Sequence, residues 1–224
     1  MIVLAIDCAA SLCAACVYDA GAGRELGRHV LDLGKGHAEH LMAVIAQALK
    51  QSGVGYADLG AISVSTGPGS FTGVRVGVST ARGLALALKI PAIGVTTLEA
   101  LAAQTREKFP GRAVLVTLDG GRAEIHAALY DGAMMLRYGP AVSTLPEMIE
   151  MASNAAPVLA GTVAERIANA ATGPFDLGPA TATADIAVYA KLAVAKGPGE
   201  KPHPVYLRAA DAKPQAGFVL PRAS

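Results

Sequence analysis

Apolar residues recur along this chain in two rhythms. Short, nearly continuous apolar runs at 2–6, 61–65, 92–95, 114–118 and 158–160 are bounded by turn residues and predict strands covered on both faces. Segments 14–21, 24–33, 125–132 and 134–142 complete the set of strands. Elsewhere the spacing is helical, as with Leu41, Val44, Ile45, Ala48 and Leu49 in 37–51, a segment closed by Gly53. Further helices are expected over 72–88, 96–107, 145–152 and 185–195, with Ser70 and Thr96 or Thr97 as N-terminal caps. Strand pairs followed by alternating helices and strands mean an α/β fold with a mixed sheet in each half.

The plan repeats. Ile2-Val3-Leu4-Ala5-Ile6-Asp7, a turn, and a strand through Tyr18 are matched by Val114-Leu115-Val116-Thr117-Leu118-Asp119, a turn, and a strand through Tyr130. The offset from position 7 to position 119 is 112 residues, half of the chain's 224. Two related domains are expected, over 1–108 and 109–224, each opening with a hairpin whose first strand ends in Asp. The segment after Gly197 is Pro-rich and irregular.

The densest local signal is Gly67-Pro68-Gly69-Ser70-Phe71-Thr72-Gly73-Val74-Arg75-Val76-Gly77, between a strand and a helix. Such a turn invites a phosphate-binding reading, because backbone N–H groups at a helix start attract anions. The Walker pattern is excluded, since no Lys stands between Lys50 and Lys89, and Thr72 occupies the third glycine of the dinucleotide fingerprint. Gly73, Gly77, Ala81 and Ala85 recur every four residues and line one side of the helix with almost no side chain. Each interior helix Gly costs about 1 kcal/mol relative to Ala, so something approaches closely. Two readings stand: packing on the chain's own sheet, or a smooth face offered to a partner's helix. The helix over 37–51 is apolar over more than one stripe, which suggests cover on two sides. The expected partner surface is therefore His37, His40, Leu41, Val44, Ile45, Gly73, Gly77 and Ala81.

Composition narrows the function classes. The chain is 52% hydrophobic but only 4% aromatic, and its charged residues interrupt every apolar run before it could span a membrane. Asp7 follows the first apolar run too early for a signal peptide, so a cytoplasmic location is expected. Net charge is +1, with 19 basic and 18 acidic residues, which provides no footprint for autonomous RNA binding. Cys8, Cys13 and Cys16 have no second cysteine pair to complete a zinc site and read as buried thiols. His37, Glu39 and His40 share a helix start, but no third ligand is identifiable and no metal is expected. Ser70 lies one place off a Gly-x-Ser-x-Gly elbow and has no identifiable base.

The strand ending at Asp7, the helix near His37, the Gly67 to Gly77 motif with Gly83-Leu84-Ala85, and the closing Pro204-x-Tyr206-Leu207-Arg208 together resemble the bacterial TsaB (YeaZ) proteins over essentially the whole chain. That resemblance implies the duplicated actin/hexokinase/Hsp70-like fold, with a tail that packs back on the first domain. It implies a non-catalytic subunit that pairs with TsaD, with TsaE in the larger complex, and that reaches tRNA only through the complex. The reaction served is threonylcarbamoyl transfer to the adenosine beside the anticodon. No cofactor is expected in the isolated chain, though the fold suggests a nucleotide near Asp7, Asp119, Gly120 and Gly121 or at the complex interface. Whether the isolated chain pairs as a homodimer is left open by the sequence. Two departures from the family stand out: Asp119-Gly120-Gly121-Arg122 where Asp-Ala-Arg is usual, and His126 in place of a Tyr. The competing readings are a small-molecule kinase or ATPase of the same fold, and a serine- or metal-dependent hydrolase.

Overall fold

A computed structural model describes residues 1–207, so Arg208 of the closing motif lies outside the described residues. Strands β1 (Ile2–Asp7), β2 (Leu12–Asp19), β3 (Arg24–Asp32), β4 (Leu59–Ser65) and β5 (Ala92–Val95) form one sheet in the order β3-β2-β1-β4-β5. The first three pair antiparallel, while β4 and β5 run parallel to β1. Strands β6 (Val114–Gly121), β7 (Glu124–Tyr130), β8 (Leu136–Ser143) and β9 (Val158–Ala160) form a second sheet in the order β8-β7-β6-β9. Its pairings repeat those of the first sheet, with β6 in the place of β1 and β9 in the place of β4. The counterpart of β5 has shrunk to one parallel bridge, Leu159 with Leu177.

Helices α1 (His37–Ser52), α2 (Phe71–Leu88), α3 (Thr97–Lys108), α4 (Leu145–Ala155), α5 (Ala164–Ala170) and α6 (Ile186–Lys196) cover the sheets in three layers. α1 and α2 cover the outer face of the first sheet, where Leu41, Val44, Ile45, Val74 and Val78 meet Leu4, Ile6 and Ile62. α3 and α6 fill the space between the sheets, with Leu98, Leu101 and Tyr189 set among Val3, Val95, Val114 and Val116. α4 and α5 close the outer face of the second sheet around Leu115, Leu159 and Met148. This layering explains the continuous apolar runs. Val3 and Ala5 point inward, Leu4 and Ile6 point outward, and both sets are buried. α6 comes late in the sequence yet packs across β1, β2, β4 and β5, so chain order and layer order part company there.

Helix starts follow local chemistry. Ser70 Oγ accepts from the Gly73 N–H, Thr96 Oγ1 from Glu99, and an Asp185 carboxylate oxygen from Ala187. Cys13 faces the outer cluster and Cys16 the inter-sheet cluster, as residues three apart on a strand must. α5 was not foreseen from the sequence. It is seven residues long and buries only Ala164 and Ile167.

Candidate functional site

Parallel strands of open α/β sheets bind ligands beyond their carboxyl ends, and in the first sheet that edge holds Asp7, Ser65 and Val95. Asp7 is only 1% exposed. Its Oδ1 accepts from the Ala9 N–H at 2.9 Å, so the acid holds its own turn. Its Oδ2 accepts from the Thr183 hydroxyl, and the Tyr189 hydroxyl lies 2.7 Å from Thr183 Oγ1. Ser63 Oγ fixes the same helix by donating to the Tyr189 carbonyl at 2.8 Å. Burial pushes the Asp7 carboxyl above its usual range, while Thr183, Ala9, Ser65 and the charge of His37 pull it back. The Tyr189 phenol is raised by burial and by the Asp7 charge. Thr183 and Ala9 thus each hold one of the two Asp7 carboxylate oxygens.

The second acid differs. Asp119 is exposed, and its Oδ1 accepts from the Gly121 N–H at 2.8 Å, while its own N–H donates to Thr162 Oγ1. Gly121, Arg122 and Ala123 all have positive φ, which makes this a tight left-handed turn. A Cβ at Gly120 would crowd His126 Nε2 at 3.0 Å, so the glycine fits beside that histidine. Among the described residues no hydrogen bond joins Asp7 to Asp119. The four residues assigned to a nucleotide are thus split between an enclosed acid and an open turn.

The partner-surface expectation is corrected by burial. Leu41, Val44, Ile45, Gly73, Gly77 and Ala81 are all buried in the chain's own structure. The reason is the β1–β2 turn: a Cβ at Gly73 would overlap the Cys8 carbonyl oxygen, and one at Gly69 the Ala9 carbonyl oxygen. The small row therefore lets α2 lie directly on its own hairpin. His37 is also buried, and its Nε2 has no hydrogen-bond partner among the described residues, whereas His40 is exposed. Among the described residues no group of three or more His, Cys, Asp or Glu could hold a metal.

What α1 and α2 show outward is a different set. Met42 is 48% exposed and Leu86 is 81% exposed, and Ala43, Ala46, Gly83 and Ala87 are exposed beside them. A Cβ at Gly83 would meet nothing within 4 Å. Ser79, Gly83 and Ala87 thus form a second small row on the opposite side of α2 from the buried one. The two rows are equally visible in the sequence, and only the three-dimensional contacts say which faces in. At the start of α2, Arg75 lies 3.4 Å over the Phe71 ring and donates Nε–H to the Tyr206 hydroxyl at 2.7 Å. Val205 N–H donates to the Thr66 carbonyl, so the tail lies on the β4–α2 junction. Ser70 spends its hydroxyl on the helix cap. No helix among the described residues is long and apolar enough to cross a membrane.

The family model described as TsaD: tRNA N6-adenosine threonylcarbamoyltransferase matches residues 32–197. The tRNA threonylcarbamoyladenosine biosynthesis protein TsaB of Escherichia coli (strain K12) is 34% identical over 130 residues, 58% of this chain and 55% of that protein. The chain thus spans about half the length of the curated relatives it matches. The solved structure of YeaZ from Pseudomonas aeruginosa is 26% identical with a TM-score of 0.73, covering 92% of this chain and 100% of that one. An inorganic polyphosphate/ATP-glucomannokinase from Arthrobacter, 14% identical with a TM-score of 0.54, shares the fold over 88% of this chain and 99% of that one. The chain carries the duplicated actin/hexokinase-like fold and belongs to the tRNA N6-adenosine threonylcarbamoyltransferase (TsaD) family, within it to the TsaB (YeaZ) branch.

Proposed function

We propose that this chain serves tRNA threonylcarbamoyladenosine biosynthesis as a non-catalytic subunit that docks TsaD through the outward face of α1 and α2. The observation that carries the reading is a contrast: the acid at the ligand-binding edge is enclosed by Thr183, while Met42 and Leu86 stand exposed on a helix pair. Large apolar side chains exposed on two neighbouring helices offer area that a protein partner can cover, and a small row such as Ser79, Gly83 and Ala87 admits another helix at close range. In this reading TsaE joins the larger complex and tRNA is reached only through it. The isolated chain turns over no ATP, the same face pairs two copies when TsaD is absent, and any nucleotide sits at the complex interface.

Co-purification with TsaD from the same cell tests the proposal. Gly83→Leu should abolish capture of TsaD while leaving the melting temperature of the isolated chain nearly unchanged. TsaD capture that survives both Gly83→Leu and Leu86→Glu would remove the docking face from consideration. ATP hydrolysis that survives purification and disappears in Asp7→Asn would overturn the non-catalytic assignment.

A further inference from the structure

Cys8 and Cys13 stand opposite each other across the first hairpin. β1 and β2 pair Asp7 with Ala14, and one further step of that register sets Cys8 against Cys13. Their sulfurs are 4.0 Å apart. Directly opposed residues of an antiparallel pair have Cα atoms about 4.5 or 5.5 Å apart, and both spacings lie within the roughly 4.4–6.8 Å that a disulfide accepts. Rotation about the two Cα–Cβ bonds, with a slight pinch of the turn, closes the sulfurs to the bond length of about 2.05 Å. Cys16 points to the other face of the sheet and is outside this pair.

The turn between the two thiols is a junction. Ser70 N–H, at the start of α2, donates to the Ala9 carbonyl at 2.6 Å. Leu33 and Gly34 N–H, in the lead-in to α1, donate to the Ser11 carbonyl at 3.0 Å each. Gly69 and Gly73 press on the Ala9 and Cys8 carbonyls without room for a Cβ. Interiors packed this closely transmit displacement rather than absorb it. We propose that Cys8 and Cys13 form a reversible dithiol–disulfide pair, oxidised by hydrogen peroxide, whose closure tightens the 8–13 turn and shifts the start of α2.

The chemistry balances. The Cys13 thiolate attacks one peroxide oxygen, the O–O bond breaks, and the departing hydroxide takes up a proton as water, leaving a sulfenic acid. Cys8 sulfur then attacks Cys13 sulfur and loses its proton, the S–O bond breaks, and a second water leaves. Two electrons pass from the thiol pair to the peroxide. Cys13 is suited to the first step because its hydrogen bond with Cys8 lowers its pKa, while the same bond and burial raise Cys8. Both sulfurs are buried, so the reaction proceeds through local opening of the turn and is slow.

The test uses the full chain, untagged, treated with hydrogen peroxide and then alkylated. Peptide mapping should find Cys8 linked to Cys13 with the loss of two hydrogens, and dithiothreitol should reverse it. Amide exchange at residues 70–74 should change several-fold on oxidation and return on reduction. Cys16→Ser should keep both effects and Cys13→Ser should lose both, with Cys8→Ala in its place if that variant does not fold. A sulfinic acid at one cysteine, a link through Cys16, no reaction in folded protein, or a link that leaves exchange at 70–74 unchanged would each overturn the proposal. None of these readouts involves TsaD, so their failure is separate from failure of the docking reading.

Discussion

The two hairpins that open the two sheets share a topology and an acid, and they put the acid to opposite uses. At the end of β1, Asp7 is enclosed, and Ala9 and Thr183 donate to it. At the end of β6, Asp119 is exposed and accepts from its own turn at Gly121. The difference lies in what covers them. Both sheets carry helices on both faces, but the chain from Thr183 into α6 closes on the end of β1, so the acid there is an internal tie between segments 176 positions apart. Duplication preserved the strand order, and burial decided the meaning of each copy.

That contrast is most exposed to failure in paired deletions. Asp7→Ala removes an acceptor from two buried donors and leaves a void, a combination that typically costs about 2–4 kcal/mol. For a chain of this size that lowers the melting temperature by about 5–15 °C. Asp119→Ala, at an exposed turn, should stay within about 0.5 kcal/mol. Thermal melts of the two variants side by side decide it, and equal effects would mean that the enclosure of Asp7 contributes nothing to stability.

The next test separates the rows of small residues on α2. Gly77 leaves ordinary contact room, since a Cβ would stand 3.6 Å from Val64 and 3.8 Å from Cys8, but Leu there overpacks the core at a cost of about 1–3 kcal/mol. Gly73→Ala should cost a similar amount, because its Cβ meets backbone that cannot swing away. Gly77→Ala should be neutral or stabilising by up to about 1 kcal/mol through helix propensity. Denaturant melts check this order, and a stabilising Gly73→Ala would contradict the close approach of α2 to the Cys8–Ala9 turn.

The tail predicts a smaller effect. Arg75 packs on Phe71 and donates to Tyr206, but all three side chains are exposed. Tyr206→Phe removes one hydrogen bond in water's reach and should cost under about 1 kcal/mol. A larger loss in a thermal melt would mean that the tail holds the β4–α2 junction in place.

Much of this fold was legible in the sequence because β1, β4 and β9 are covered on both faces and write themselves as nearly unbroken apolar runs. The caps at Ser70 and Thr96 mark helix starts by hydrogen bonds made within three residues, a range that sequence can reach. The repeat from Asp7 to Asp119 corresponds to the repeated strand order. The small row expected to face a partner is buried instead, because α2 carries small residues on two sides and the deciding contact, Gly73 on the Cys8 carbonyl, is tertiary. Thr183 could not be found from the sequence, since nothing local marks a threonine that donates to an acid near the other end of the chain. α5 escaped because two buried positions in seven residues make no periodic signal.

The subtlest prediction concerns charge at Asp7. Burial raises its folded-state pKa above the ordinary value of 3.8, so between those two values the folded protein binds a proton that the unfolded chain has released. Stability from this group is therefore fully present below pH 3.8 and declines as pH rises through the folded value, after which it is level. Asp7→Asn has no proton to lose and keeps an oxygen for the Ala9 N–H. The stability of the natural chain minus that of Asp7→Asn should accordingly fall with rising pH across this window and then flatten. Urea melts of the two proteins over the acid range measure this difference. A difference that instead grows with pH would mean that Thr183, Ala9 and Ser65 stabilise the ionised carboxylate by more than burial costs it.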